Sequence, residues 1–187
     1  MQGEAAREAE IAKAIREEEL AAQKAGLELT QERRDEIARL TQEKIAGSPL
    51  FLVEVKVSPN KVTVYLDHPK GVGIEDCVAV SRHLQSAFDG TPVFEQHELE
   101  VSSPGMDEPL KVLPQYHKRI GRRVNVITFD GLKHTGTLVS ADDLGIELDR
   151  EIARKVNGRK QITHESVRLP FEQIKETRVI FNFDQLR

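Results

Sequence analysis

Residues 50–67 read LFLVEVKVSPNKVTVYLD. Phe51, Val53, Val55 and Val57 alternate along the first arm and Val62, Val64 and Leu66 along the second, which is the period of strands with one buried face. The SPNK segment between the arms is turn material, so the stretch predicts a hairpin. Upstream, Thr30 is a plausible N-cap for a helix over QERRDEIARLTQEKIAG. In that helix Ile37, Leu40 and Ile45, with Ala38 and Thr41, form an apolar stripe, and Gly47 and Pro49 are stop signals. Downstream, IEDCVAVSRHLQSAF places Cys77, Val80, Leu84 and Phe88 near helical spacing, with Glu75 and Asp76 in the first turn where acids favour the helix dipole. Gly90 and Pro92 end that helix, and VFEQHELEV predicts a third strand with Leu99 and Val101 on one side. The first half therefore reads α-β-β-α-β, a sheet with helices packed on it.

Beyond residue 110 the texture changes to short strands: RVNVITF, KHTGTLVSA, GIELD, QITHES and IKETRVIF. Asp130-Gly131, Asp142-Asp143 and Asn157-Gly158 supply the turns, and the last is an Asn-Gly hairpin signal. Regularly spaced short strands predict a small β-barrel, making the whole chain α+β. At the other end, residues 4–25 are dominated by Ala, Glu, Lys and Arg, which favour helix. Ile11 and Ile15 share a face, but no heptad is sustained toward Leu20. The expected organisation is a charged helical extension (1–29), an α/β domain (30–110), a basic connector (111–122) and the barrel (123–187).

Hydrophobic residues make up 39% of the chain and charged ones 31%, the balance of a soluble globular protein. No apolar run is long enough to cross a bilayer, and the N-terminus lacks a basic-then-apolar secretory layout, so a cytoplasmic location is expected. Cys77 is the only cysteine, which rules out an internal disulfide and reads as a small buried hydrophobe. Charge is unevenly spread: residues 47–103 carry a net −4, whereas 104–187 carry +3, so the C-terminal part suits an anionic partner.

GIEDCVAVSRHLQSAFD followed by LEVSSPGMDEPL resembles the bacterial ribosome maturation factor RimP family. The resemblance covers about Thr30 to Phe183. It implies an N-terminal domain related to RNA-binding sheet-and-helix folds and a C-terminal SH3-like or Sm-like barrel. It also implies work on the immature small (30S) ribosomal subunit, through rRNA and the small-subunit ribosomal protein of the decoding region. No catalytic reaction and no cofactor belong to the family, and nothing demands more than a monomer. After SSPG the family commonly reads Leu-Asp-Arg-Pro, whereas this chain has Met106-Asp107-Glu108-Pro109, which puts any phosphate contact at Glu108 in doubt.

Three groups of residues are candidates for function. Ser103, Pro104 and Gly105, with Met106, fit a type II β-turn in which Gly105 takes the positive φ. The rival reading is a hydrolase in which Ser102 or Ser103 is served by His97 or His117 and Asp107, although no nucleophile-elbow spacing supports it. Lys111, Lys118, Arg119, Arg122 and Arg123 form a basic run that includes Tyr116 and His117, a mixture suited to phosphate contacts and base stacking. The alternative is a solvated linker. Arg154, Lys155, Arg159 and Lys160 bracket Asn157-Gly158, either as a probe into folded RNA or as a soluble hairpin tip. The acidic groups, including Glu95, Glu98 and Glu100, suit a basic protein partner. Scattered histidines offer no metal-binding pair. A protein-interaction adaptor with a peptide-binding barrel and no RNA contact remains the competing function.

Overall fold

The hairpin at residues 50–67 forms as β1 (Phe51–Val57) and β2 (Lys61–Asp67), paired antiparallel, in a computed structural model that describes the backbone of residues 2–181 and the side chains of 3–18, 20 and 31–181. Its alternation is broken at one point. Pairing passes from Leu52↔Leu66 to Glu54↔Tyr65, leaving Val53 as the extra residue of a bulge. One inserted residue reverses which side chains face inward. Leu52, rather than Phe51 or Val53, therefore joins Val55 and Val57 on the core, opposite Val62, Val64 and Leu66.

The two helices expected in the first 46 residues are one helix, α1 (Gln2–Ile45), and the backbone of Thr30 lies inside it, so Thr30 is not an N-cap. Residues 37–45 are docked and hold a formed helix; continuing it upstream through helix-favouring residues needs no new nucleus. Ile37, Thr41 and Ile45 are buried, and the Thr41 hydroxyl is satisfied by donating to the Ile37 carbonyl at 2.7 Å. Ile11, Ile15 and Leu20 are each more than half exposed, so the first part of α1 is a solvated extension.

Helix α2 (Ile74–Ala87) buries Val80 and Leu84 against the sheet. Residues 93–96, expected as strand, instead form a single helical turn, α3 (Val93–Gln96), and β3 runs only over Glu98–Ser102. Burying Val93 in the core favours the turn over extension. β3 pairs parallel with β2, giving the order β1-β2-β3 with α2 as crossover. Both β1 and β3 are edges.

After α4 (Leu113–Lys118) come β4 (Arg123–Thr128), β5 (Lys133–Ala141), β6 (Gly145–Val156), β7 (Arg159–Pro170), a 3-10 turn (Phe171–Gln173) and β8 (Ile174–Val179). The strands form one antiparallel sheet of order β7-β6-β5-β4-β8 around a second core of Val124, Val126, Leu138, Ile146, Leu148, Leu169 and Val179. Among the described residues no ladder joins β7 to β8, so what the second half presents is a five-stranded antiparallel sheet. GIELD and QITHES belong to twelve-residue strands, because the β6–β7 ladder runs unbroken from Gly145↔Pro170 to Val156↔Arg159. Residues 182–187 of the expected barrel lie outside the described residues.

Candidate nucleic-acid interface

The outer half of β6 and β7 is a two-stranded ribbon. Pairing of β5 with β6 ends at Gly136↔Arg150, whereas β6 and β7 stay paired to Val156↔Arg159. Six further residues at ~3.4 Å each carry the tip about 20 Å beyond the sheet. Asn157 and Gly158 close it with φ of 54° and 77°, the two left-handed residues of a type I′ turn.

Charge changes along this ribbon. At the base, Arg150 pairs with Glu165 at 2.6 Å, and Arg123 on β4 reaches Glu151 through two hydrogen bonds of 2.9 Å. That fork holds the Glu151 carboxyl below its usual range and the Arg123 guanidinium above its own. At the tip, Lys155 stands directly opposite Lys160 on one face, and Arg154 and Arg159 project from the other. All four are exposed, and none has an ion-pair partner among the described residues. Like charges opposite each other on a ladder are destabilising unless something anionic lies against them.

Residues 111–123 behave differently from a basic connector. Pro114 in the first turn and Gln115, whose side chain accepts from the Lys111 and Val112 amides at 2.6 and 3.1 Å, start helix α4. Proline followed by Gln near the third position was a readable helix-start signal. Tyr116 is buried, donates to Thr177 Oγ1 at 2.8 Å and meets Phe171 edge-on, so it is closed to base stacking; burial raises its pKa. His117 is tied through Nε2 to the Ala141 carbonyl at 2.9 Å. Lys111 pairs with Glu54 at 2.6 Å, and Lys118 with Asp67 at 2.9 Å. Arg119 lies over the Phe181 ring, and desolvation lowers its pKa. Of the five cations, only Arg122 is exposed with no ion pair or ring partner among the described residues. Four of the five cations are thus partnered within the protein, and two of them, Lys111 and Lys118, clamp the segment to β1 and β2.

The Lys118–Asp67 bridge is the more buried part of the clamp, with the two side chains only 15% and 12% exposed. Lys118→Met should destabilise the protein by about 2–3 kcal/mol, less than a fully buried pair, because Asp67 keeps the His68 amide at 2.8 Å. Adding Asp67→Asn should recover most of the loss, and a thermal double-mutant cycle measures it.

The seam before the clamp also differs from expectation. Gly105 does not have a positive φ, and the turn is closed one step later, by the Glu108 amide donating to the Gly105 carbonyl at 3.1 Å. Ser103, Pro104 and Gly105 thus lead into a turn centred on Met106 and Asp107. A Cβ on Gly105 would meet Asp107 Oδ1 at 2.9 Å, but that oxygen ends an exposed side chain that can turn away, so space alone does not require glycine there. Arg178 donates to the Asp107 carbonyl at 2.6 Å; its pKa is raised chiefly by its bond to Glu176, with smaller contributions from Glu108 and Asp107. Glu108 therefore stands in the field of a cation on β8. Ser102 donates to the Ser103 carbonyl and His97 Nδ1 bonds the Val93 carbonyl, so no hydrogen bond joins a serine of the seam to a histidine. Cys77 is half-buried and desolvation raises its pKa, the opposite of an activated thiol.

Residues 40–107 match the family model of the RimP N-terminal domain. A ribosome maturation factor RimP from Porphyromonas gingivalis is 37% identical over 129 residues, covering 68% of this chain and 84% of the relative. Those from Christiangramia forsetii and Cytophaga hutchinsonii are 36% and 32% identical over 140 and 158 residues, covering 73% and 79% of this chain and 90% and 93% of theirs. At that identity and coverage, the chain belongs to the RimP family of ribosome maturation factors.

Proposed function

We propose that this protein is a non-enzymatic assembly factor of the small (30S) ribosomal subunit that acts in the cytoplasm and contacts immature subunits through rRNA and a ribosomal protein near the decoding region. Its family supports a role in ribosome maturation, and no helix of the described residues is long and apolar enough to cross a membrane. In this reading, residues 30–110 are an α/β domain and 123–187 an SH3-like or Sm-like unit whose β6–β7 ribbon meets RNA. The observation that carries the RNA contact is the unpaired Lys155–Lys160 ladder pair flanked by Arg154 and Arg159 at the end of a projecting ribbon. Such a tip fits a groove between phosphates and relieves its own repulsion there. The protein would act by binding one rRNA conformation better than its competitors, since equal affinity shifts no population.

The adaptor reading draws on a groove of about 500 Å³ lined by Leu110, Leu113, Tyr116, Phe171 and Ile174. Co-sedimentation with immature and mature small subunits separates the two. The assembly factor should pellet preferentially with immature subunits and lose binding as salt rises from 50 to 200 mM. An adaptor would show neither preference nor that salt dependence.

A further inference from the structure

On the opposite half of the molecule β3 has one free side. Among the described residues, the backbone groups of residues 99–102 make no hydrogen bond beyond the ladder with β2. Between this edge and α2 runs an open groove of about 500 Å³ whose walls are Ile74, Cys77, Val78, Leu99 and Val101. Ile74 at its mouth is 84% exposed and Val78 is 40% exposed, so the helix side of the groove presents apolar surface to water. An open strand edge beside an apolar trough is the geometry that accepts an added strand.

The two faces of such a strand would meet different chemistry. Leu99 and Val101 point toward the helix side, and Glu98 and Glu100 stand on the reverse face. Lys61 on β2 pairs with Glu100, which leaves Glu98 as the β3 carboxylate with no ion pair among the described residues. Glu75 adds an acid at the mouth, and Arg82 is the one Lys or Arg of α2. The surrounding region, residues 47–103, carries a net −4.

We propose that the β3 edge docks an extended segment of a basic protein as a fourth strand, with alternate apolar side chains in the Ile74–Val78 trough and the intervening Lys or Arg residues beside Glu98 and Glu100. This rests on the assembly-factor reading for its biological setting, naming the surface and chemistry of the protein partner. It is independent of the ribbon, which meets RNA. Main-chain hydrogen bonds supply affinity, and the alternation of side chains supplies selection.

The test titrates the full-length protein, labelled for NMR, with a nine-residue peptide alternating Val and Lys. Two controls are a Val/Glu peptide and a Val/Lys peptide with alternate backbone amides methylated. Shifts confined to residues 72–81 and 98–103 are expected, with affinity reduced at least tenfold for both controls. Ile74→Glu, at an exposed position that leaves the fold intact, should weaken the Val/Lys peptide at least tenfold. The same variant should bind rRNA fragments as the parent does, so a lost peptide with retained RNA binding isolates the groove from the assembly role. Failure of the peptide to bind, shifts elsewhere, or equal binding by the methylated or acidic peptide would overturn the proposal. So would a concentration-dependent dimer that Ile74→Glu abolishes, because the edge would then belong to a second copy of the chain.

Discussion

Gly136→Val should lower the stability of the protein by about 3 kcal/mol or more, the largest effect expected of a single substitution. A Cβ at this position would lie 2.1 Å from the Asp149 carbonyl oxygen and 2.8 Å from the Arg150 Cα. Both are backbone atoms, so no side-chain rotation relieves the clash; β5 and β6 must separate. Gly136↔Arg150 is also the last β5–β6 pair before the ribbon leaves the sheet. The substitution thus acts at the point that sets the ribbon's direction, and beside it the Arg150 guanidinium approaches His134 Nδ1 at 3.2 Å. For a domain of this size the melting temperature should fall by roughly 12–24 °C. A melting temperature within a degree of the parent would show that the strands do not approach as closely as described.

The combined replacement of Arg154, Lys155, Arg159 and Lys160 by alanine should have the reverse profile. If each cation meets one phosphate, the slope of log affinity against log salt should decrease by about 3, and affinity for rRNA fragments at low salt should fall on the order of a hundredfold. Thermal stability should stay the same or rise slightly, because the four side chains are exposed, have no carboxylate partners and include a repelling cross-strand pair. Loss of affinity with an unchanged melting curve would therefore mark the tip as a binding surface. An unchanged salt slope would return these charges to the role of keeping a long hairpin soluble.

The parts of the chain legible in advance were those whose physics is local. Val62, Val64 and Leu66 alternate and are buried as expected, since a two-residue period leaves only one face for the core. Asn157-Gly158 forms its turn because both residues tolerate positive φ. Family membership, too, followed from two stretches near each other in sequence, residues 73–89 and 99–110. Local reading failed where a choice depended on neighbours distant in sequence. The Val53 bulge is set by pairing with β2, and the continuation of α1 past Thr30 by a docked segment downstream.

The candidate site shows the same division. Sequence alone favoured nucleic-acid contact for the first basic cluster and left the second balanced between a probe and a soluble tip, because a run of cations does not show which of them find partners in the fold. Only the tertiary structure brings Glu54 to Lys111, Asp67 to Lys118 and Glu151 to Arg123, from 57, 51 and 28 residues away. Glu54 and Asp67 turn the first cluster into a clamp, and Glu151 takes up Arg123 within the second sheet. The ladder that carries Lys155 and Lys160 beyond the rest of the sheet leaves the second unanswered. The residue types determined where positive charge occurs, and the fold decided which of it is neutralised, since an ion pair depends on distance in space and not along the chain.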